Sequence, residues 1–137
     1  MALQLSVAVR NARLDAFETI LIAAGVDAIL EIRSGAAPAD CATADSGTVL
    51  ATIALPDDPF AAAASGSKAK SGTWDDASAD ATGTAAHFRI KDHVGDCHLQ
   101  GTVTVTGGGG DLTVDNVSFA SGQSFTITGF TLTDGNA

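Results

Sequence analysis

After Gly25 the apolar residues of this chain stop recurring every three or four positions and begin to alternate, and that change of period constrains the fold more than anything else in the sequence. Before it, Val7, Leu14, Phe17, Leu21 and Ala24 recur at helical spacing, with Arg10, Arg13, Asp15 and Glu18 on other faces. Ser6 stands where a side-chain oxygen caps a first turn, and Gly25 where a helix ends. The sequence therefore predicts one helix over about residues 6–24. Its apolar stripe has two available uses: covering the chain's own sheet, or meeting other copies in an oligomer.

Beyond Gly25 the pattern is that of strands. Ile29 to Arg33 and Thr48 to Leu55 are expected strands, the second ended by Pro56. The segment 36–47 between them, built of small residues with Pro38 and two aspartates, is expected to be a loop. His87 to Lys91 places Phe88 and Ile90 on one face and His87, Arg89 and Lys91 on the other. Leu99, Gly101, Val103 and Val105 alternate with Gln100, Thr102, Thr104 and Thr106. Gly107 to Gly110 is expected to be a hairpin turn, with Asp111 opening the strand of Leu112 and Val114. Phe125 and Ile127, followed by Phe130 and Leu132, slip parity at Thr128-Gly129, as a β-bulge would require. Short strands, turn glycines and outward threonines imply a mainly β domain, an antiparallel sandwich or barrel of jelly-roll-like type behind one N-terminal helix. The organisation expected is an arm and helix over residues 1–25 and a β domain over 26–137, forming one structural unit. Residues 57–86 are the least regular stretch, and Trp74 is expected to hold them down as an ordered loop, because an indole buries a large apolar area.

Charge excludes several functions. Seven Lys and Arg against sixteen Asp and Glu leave a formal net charge of −9. Neutralising phosphates needs clustered cations, so neither a nucleic acid nor an anionic membrane is an expected partner. Arg10 and Arg13 precede a short apolar run, Ile20 to Ala24, but Asp15 and Glu18 interrupt it and it is too short for a signal sequence. No stretch approaches the roughly 20 apolar residues that cross a bilayer. The chain is expected to be made in the cytoplasm, where thiols are kept reduced; Cys41 and Cys97 are accordingly expected to be free and buried, with a disulfide formed after release from the cell as the alternative.

No catalytic or cofactor constellation emerges. His87, His93 and His98 lack metal-site spacing, Ser65-Gly66-Ser67 lacks the strand and helix of a nucleophile elbow, and Asp57-Asp58 and Asp75-Asp76 are expected to be solvated turn carboxylates. Gly107 to Asp111 has no following Lys-Ser/Thr for a phosphate loop, and it is a single copy where calcium-binding repeats come in tandem. The expectation is no enzyme, no cofactor and no metal. A weak surface calcium site at Asp111 or Asp115 is the residual option.

The opening Met1-Ala2-Leu3-Gln4-Leu5-Ser6-Val7-Ala8-Val9-Arg10-Asn11-Ala12-Arg13-Leu14-Asp15 resembles the start of a family of small proteins encoded among the virion genes of tailed bacteriophages. The resemblance continues through Leu30 to Pro38, Phe88-Arg89-Ile90, Gln100 to Thr104, Gly107 to Leu112 and Phe130 to Thr133, and so spans the chain. It implies a virion component, with a capsid decoration (cement) protein on the outer face of the shell favoured. The major capsid protein or other virion proteins are then the implied partners, and a trimer the implied oligomer. A tail or neck component (tail tube, connector or fibre-associated protein) is the alternative, and a carbohydrate-binding, adhesin-like β domain a more distant one. The residues expected to make protein contacts are Leu3, Leu5, Val7, Leu14, Phe17 and Leu21 of the arm and helix, with Phe60 and Trp74 of the loop. For each of them, packing into the chain's own core is the competing role.

Overall fold

The computed structural model describes residues 2–25 and 27–135; Met1 of the arm, Val26 at the head of the β domain and residues 136–137 lie outside the described residues. The chain is mainly β behind one helix. Helix α1 runs Val7–Leu21 and is capped by Ser6, whose hydroxyl accepts the Val9 N–H at 3.3 Å. It ends at Leu21, three residues before Ala24 where its apolar period ends, with Ile22 as C-cap, and Gly25 with φ +65° turns the chain out of it. The strands follow as β1 Ile29–Arg33, β2 Val49–Ala54, β3 Ser67–Ala69, β4 Asp75–Asp76, β5 Gly83–Thr84, β6 His87–Lys91, β7 Cys97–Val105, β8 Leu112–Val114, β9 Ser118–Phe119 and β10 Phe125–Thr133.

The large sheet runs β2-β1-β6-β7-β8-β10-β3, with β4 also pairing β10, while β5 and β9 form a separate two-stranded sheet. In the described part, Ile53 and Ala51 stand opposite Leu30 and Ile32, which stand opposite Ile90 and Phe88. The apolar alternation thus lines up strand by strand on one face, as a period of two demands. β6 and β10 are three steps apart in the sheet, a separation of roughly 14 Å if the sheet were flat. Yet the rings of Phe88 and Phe130 lie 5.6 Å apart, edge to face. The sheet must therefore curl over on itself, in a sandwich-like arrangement. Leu30, Ile32, Phe88, Ile90, Leu112, Val114, Ile127 and Phe130 form one core cluster inside it. Phe60 and Trp74 close that core from the 57–86 segment, both essentially unexposed, with ring centroids 5.4 Å apart. Trp74 also accepts the Ile127 N–H at its carbonyl, so it holds its segment down by backbone as well as by ring.

Two expectations need correcting. The sheet is not wholly antiparallel: β7 and β8 run parallel, Val103 beside Leu112 and Val105 beside Val114. Gly107–Gly110 is consequently not a hairpin turn. It doubles back across β7, where a Cβ at Gly108 or Gly110 would come within 2.8 Å of the Thr104 side chain, and Gly107 and Gly109 take φ of +83° and +81°. Four glycines are what that crossing needs, two for backbone conformation and two for clearance. Second, Cys41 and Cys97 are not free thiols but a disulfide, their Cα atoms 5.2 Å apart, within the usual range for a bridge. The segment 36–47 is a loop, as expected, with most of its residues exposed. It folds onto the polar face of β1 and β6. The expected bulge in β10 is present, as a register shift between Ile127 and Gly129.

Candidate functional site

The helix is fastened along its length. Leu14 and Leu21 are buried, and half-buried Phe17 meets Phe60 edge to face at 5.7 Å. Polar anchors alternate with them: Arg10 donates to the Asp134 carbonyl at 3.1 Å and Asn11 accepts the Gly66 N–H at 2.8 Å. One turn on, the buried Lys68 ammonium pairs with both Asp15 and Glu18 at 2.7 Å. Burial alone would pull Lys68 down, but hydrogen bonds to Asp15 and Glu18 outweigh it and raise the group above its usual value. The same hydrogen bond from Lys68 holds Asp15 below the usual carboxylate range.

These contacts decide between the two uses of the stripe. Leu14, Phe17 and Leu21 cover the chain's own interior, and Phe60 and Trp74 are core, so these five are not presented to a partner. Leu3 and Val7 are presented, at 85% and 47% exposure, and Leu5 is half-buried. The residues that sequence reasoning passed over are on the far side of the helix. Val9, Ala12, Ala16 and Ile20 follow one another at three- and four-residue steps and so share one face, and all four are exposed. Val9 is 46% and Ile20 57% accessible. Alanines at its middle positions hid this second stripe, because an alanine on a helix ordinarily signals propensity rather than contact. The helix is apolar on two opposite faces, one filled and one bare.

A second concentration of side chains lies on the polar face of β1 and β6. Arg33, His87, Arg89 and Lys91 are all buried. What buries them is the segment 36–47, whose Asp45 carboxylate pairs with Arg33 at 3.1 Å, Arg89 at 2.5 Å and Lys91 at 2.6 Å. Glu31 adds contacts to Arg33 and Lys91. Arg89 also donates to the carbonyls of Asp40 and Thr43, Gln100 to that of Pro38, and His87 Nδ1 to that of Gly35. Hydrogen bonding from Lys91, then from Arg89, with the charge of Arg33 added, holds the Asp45 carboxyl down to about 2. The disulfide ties the same segment to the start of β7.

The remaining candidates are local. His98 meets Asp92 at 3.0 Å, and that hydrogen bond keeps Asp92 low; His93 is exposed. Asp111 accepts both the N–H and the hydroxyl of Thr102 at 2.8 Å, and those bonds lower its carboxyl. Asp57 and Asp58 are exposed, while Asp75 and Asp76 lie on β4. Among the described residues no group of three or more His, Cys, Asp or Glu is placed to hold a metal ion, and no helix is long and apolar enough to cross a membrane. Compared with known proteins, the chain matches no family model, no curated protein and no solved structure.

Proposed function

We propose that the chain is a non-enzymatic structural protein of a virion, a decoration protein that seats its N-terminal arm and the outer face of α1 on the major capsid protein. The observation that carries this reading is where the exposed apolar side chains lie. Of six large hydrophobic residues that are exposed among those described, four (Leu3, Val7, Val9 and Ile20) fall in the first twenty positions. Such a concentration on one short element is how a soluble protein offers a contact surface. The net charge of −9 suits the outside of a shell better than a wall facing packaged DNA. The resemblance to virion proteins of tailed phages points the same way. A tail-tube role calls for a long free hairpin, and the segment best suited in length, 57–86, is held down by Phe60 and Trp74.

The test is the stoichiometry of purified virions, with heads and tails separated and the chain quantified by mass spectrometry. Hundreds of copies on heads are expected. A handful of copies, recovered only with tails, would sink the decoration reading. Replacing Val9 and Ile20 together by serine is expected to weaken rebinding to stripped heads while leaving the β domain folded.

A further inference from the structure

The segment 36–47 is held to the sheet in two ways, and the two answer to different chemistry. One hold is covalent, Cys41 to Cys97. The other is electrostatic, Asp45 among Arg33, Arg89 and Lys91. Its further hydrogen bonds to the sheet run to the carbonyls of Pro38, Asp40, Thr43 and Ser46. None of its residues belongs to the hydrophobic core. Water can therefore replace each of these hydrogen bonds and ion pairs, and the core cluster keeps all its members when it does.

We propose that residues 36–47 form a redox-latched strap, closed over the Arg33–Arg89–Lys91 face when Cys41 and Cys97 are joined and able to lift, with the core intact, when they are reduced. A chain made in a reducing compartment begins unlatched. A small-molecule disulfide such as oxidised glutathione supplies the oxidant. The thiolate of one cysteine attacks it, forming a mixed disulfide and expelling one small thiolate. The thiolate of the other cysteine attacks the protein sulfur of that mixed disulfide, forms the Cys41–Cys97 bond and expels the second. Two protein thiols lose two protons and two electrons, and one small disulfide becomes two small thiols. A dithiol reverses the exchange.

The strap's position is read by two lysines. Lys91 Nζ lies beneath it, and Lys68 Nζ lies beneath α1, so Lys68 reports on the rest of the fold. The full chain is incubated with oxidised glutathione or with dithiothreitol, pulsed with an amine-acylating reagent, and each lysine quantified by mass spectrometry. Reduction is expected to accelerate acylation of Lys91 at least ~10-fold, leaving Lys68 unchanged. The variant C41S/C97S is expected to behave as the reduced protein; should it not fold, reduction of the folded wild type gives the same readout. D45N, once reduced, is expected to label at Lys91 faster still. Three outcomes overturn the proposal: Lys91 equally protected with and without the bond, Lys91 and Lys68 accelerating together, or both cysteines remaining alkylatable after treatment with oxidised glutathione.

Discussion

The two faces of β1 and β6 are buried to nearly the same extent by opposite means. On one, Leu30, Ile32, Phe88 and Ile90 pack into the core with no exposure above 1%. On the other, Arg33, His87, Arg89 and Lys91 are covered by a single strap and paired with one aspartate, one glutamate and a row of carbonyls, with His87 Nε2 left without a partner. The first face is stabilised by removing apolar area from water, which involves no titrating group and no ion pair to be screened. The second exchanges hydration for charge pairing, so its net stabilisation is small and conditional. Alternation in a sequence thus assigns residues to faces. It does not say which faces meet water.

Substitutions should separate the two faces by size of effect. Phe88→Ala is expected to cost about 3–5 kcal/mol, because it opens a cavity where the ring meets Phe130; urea denaturation measures it. Breaking Cys41–Cys97 frees a pair 56 residues apart in the unfolded chain, and the chain-entropy argument puts the loss at up to about 4 kcal/mol. A thermal melt with and without dithiothreitol reads that loss, and near-native circular dichroism below the transition would show the core face unaffected.

Asp45→Asn comes next, at about 1–3 kcal/mol, since it leaves two arginines and a lysine short of a partner that is itself partly exposed. The wild-type contribution follows the carboxyl. Its folded value, about 2, lies below the unfolded one, so the stabilisation is fully present above about pH 4 and disappears as the pH falls through about 2. Asp45→Asn should flatten that part of the stability–pH curve, and an unchanged acid limb would show that the strap carries no acid sensitivity. The smallest expected effect on stability is at Ile20→Ser, within about 0.5 kcal/mol, because the side chain is bare. On the proposed decoration role, its consequence is in assembly alone, read by rebinding to stripped heads.

How far the sequence spoke for itself follows the same division. β1 and β6 were legible to the residue, since Ile29–Arg33 and His87–Lys91 alternate cleanly between small or turn-forming neighbours. The bulge near Gly129 was legible from a parity slip, and the anchoring by Trp74 from the size of one indole. What stayed hidden depends on contacts distant in sequence. Nothing local to Asp45 announces that it meets Arg89, 44 positions away. The pairing of Cys41 and Cys97 has the same character, and the cytoplasmic expectation argued against it. The parallel placement of β8 was concealed by glycines that ordinarily mark a hairpin. Of the residues expected to make protein contacts, Leu3 and Val7 are exposed, while Leu14, Leu21, Phe60 and Trp74 are buried. The exposure of Val9 and Ile20 was not legible, because the stripe that carries them is half alanine.

The tetraglycine crossing has a practical corollary for anyone wishing to display foreign peptides on this scaffold. A run of four glycines invites insertion, as flexible and surface-exposed runs usually do. Here Gly108 and Gly110 are pressed onto Thr104, and the Gly110 N–H is bound to its hydroxyl at 2.9 Å. The segment is a fitted joint between two parallel strands, and a cargo peptide spliced into it would prise them apart.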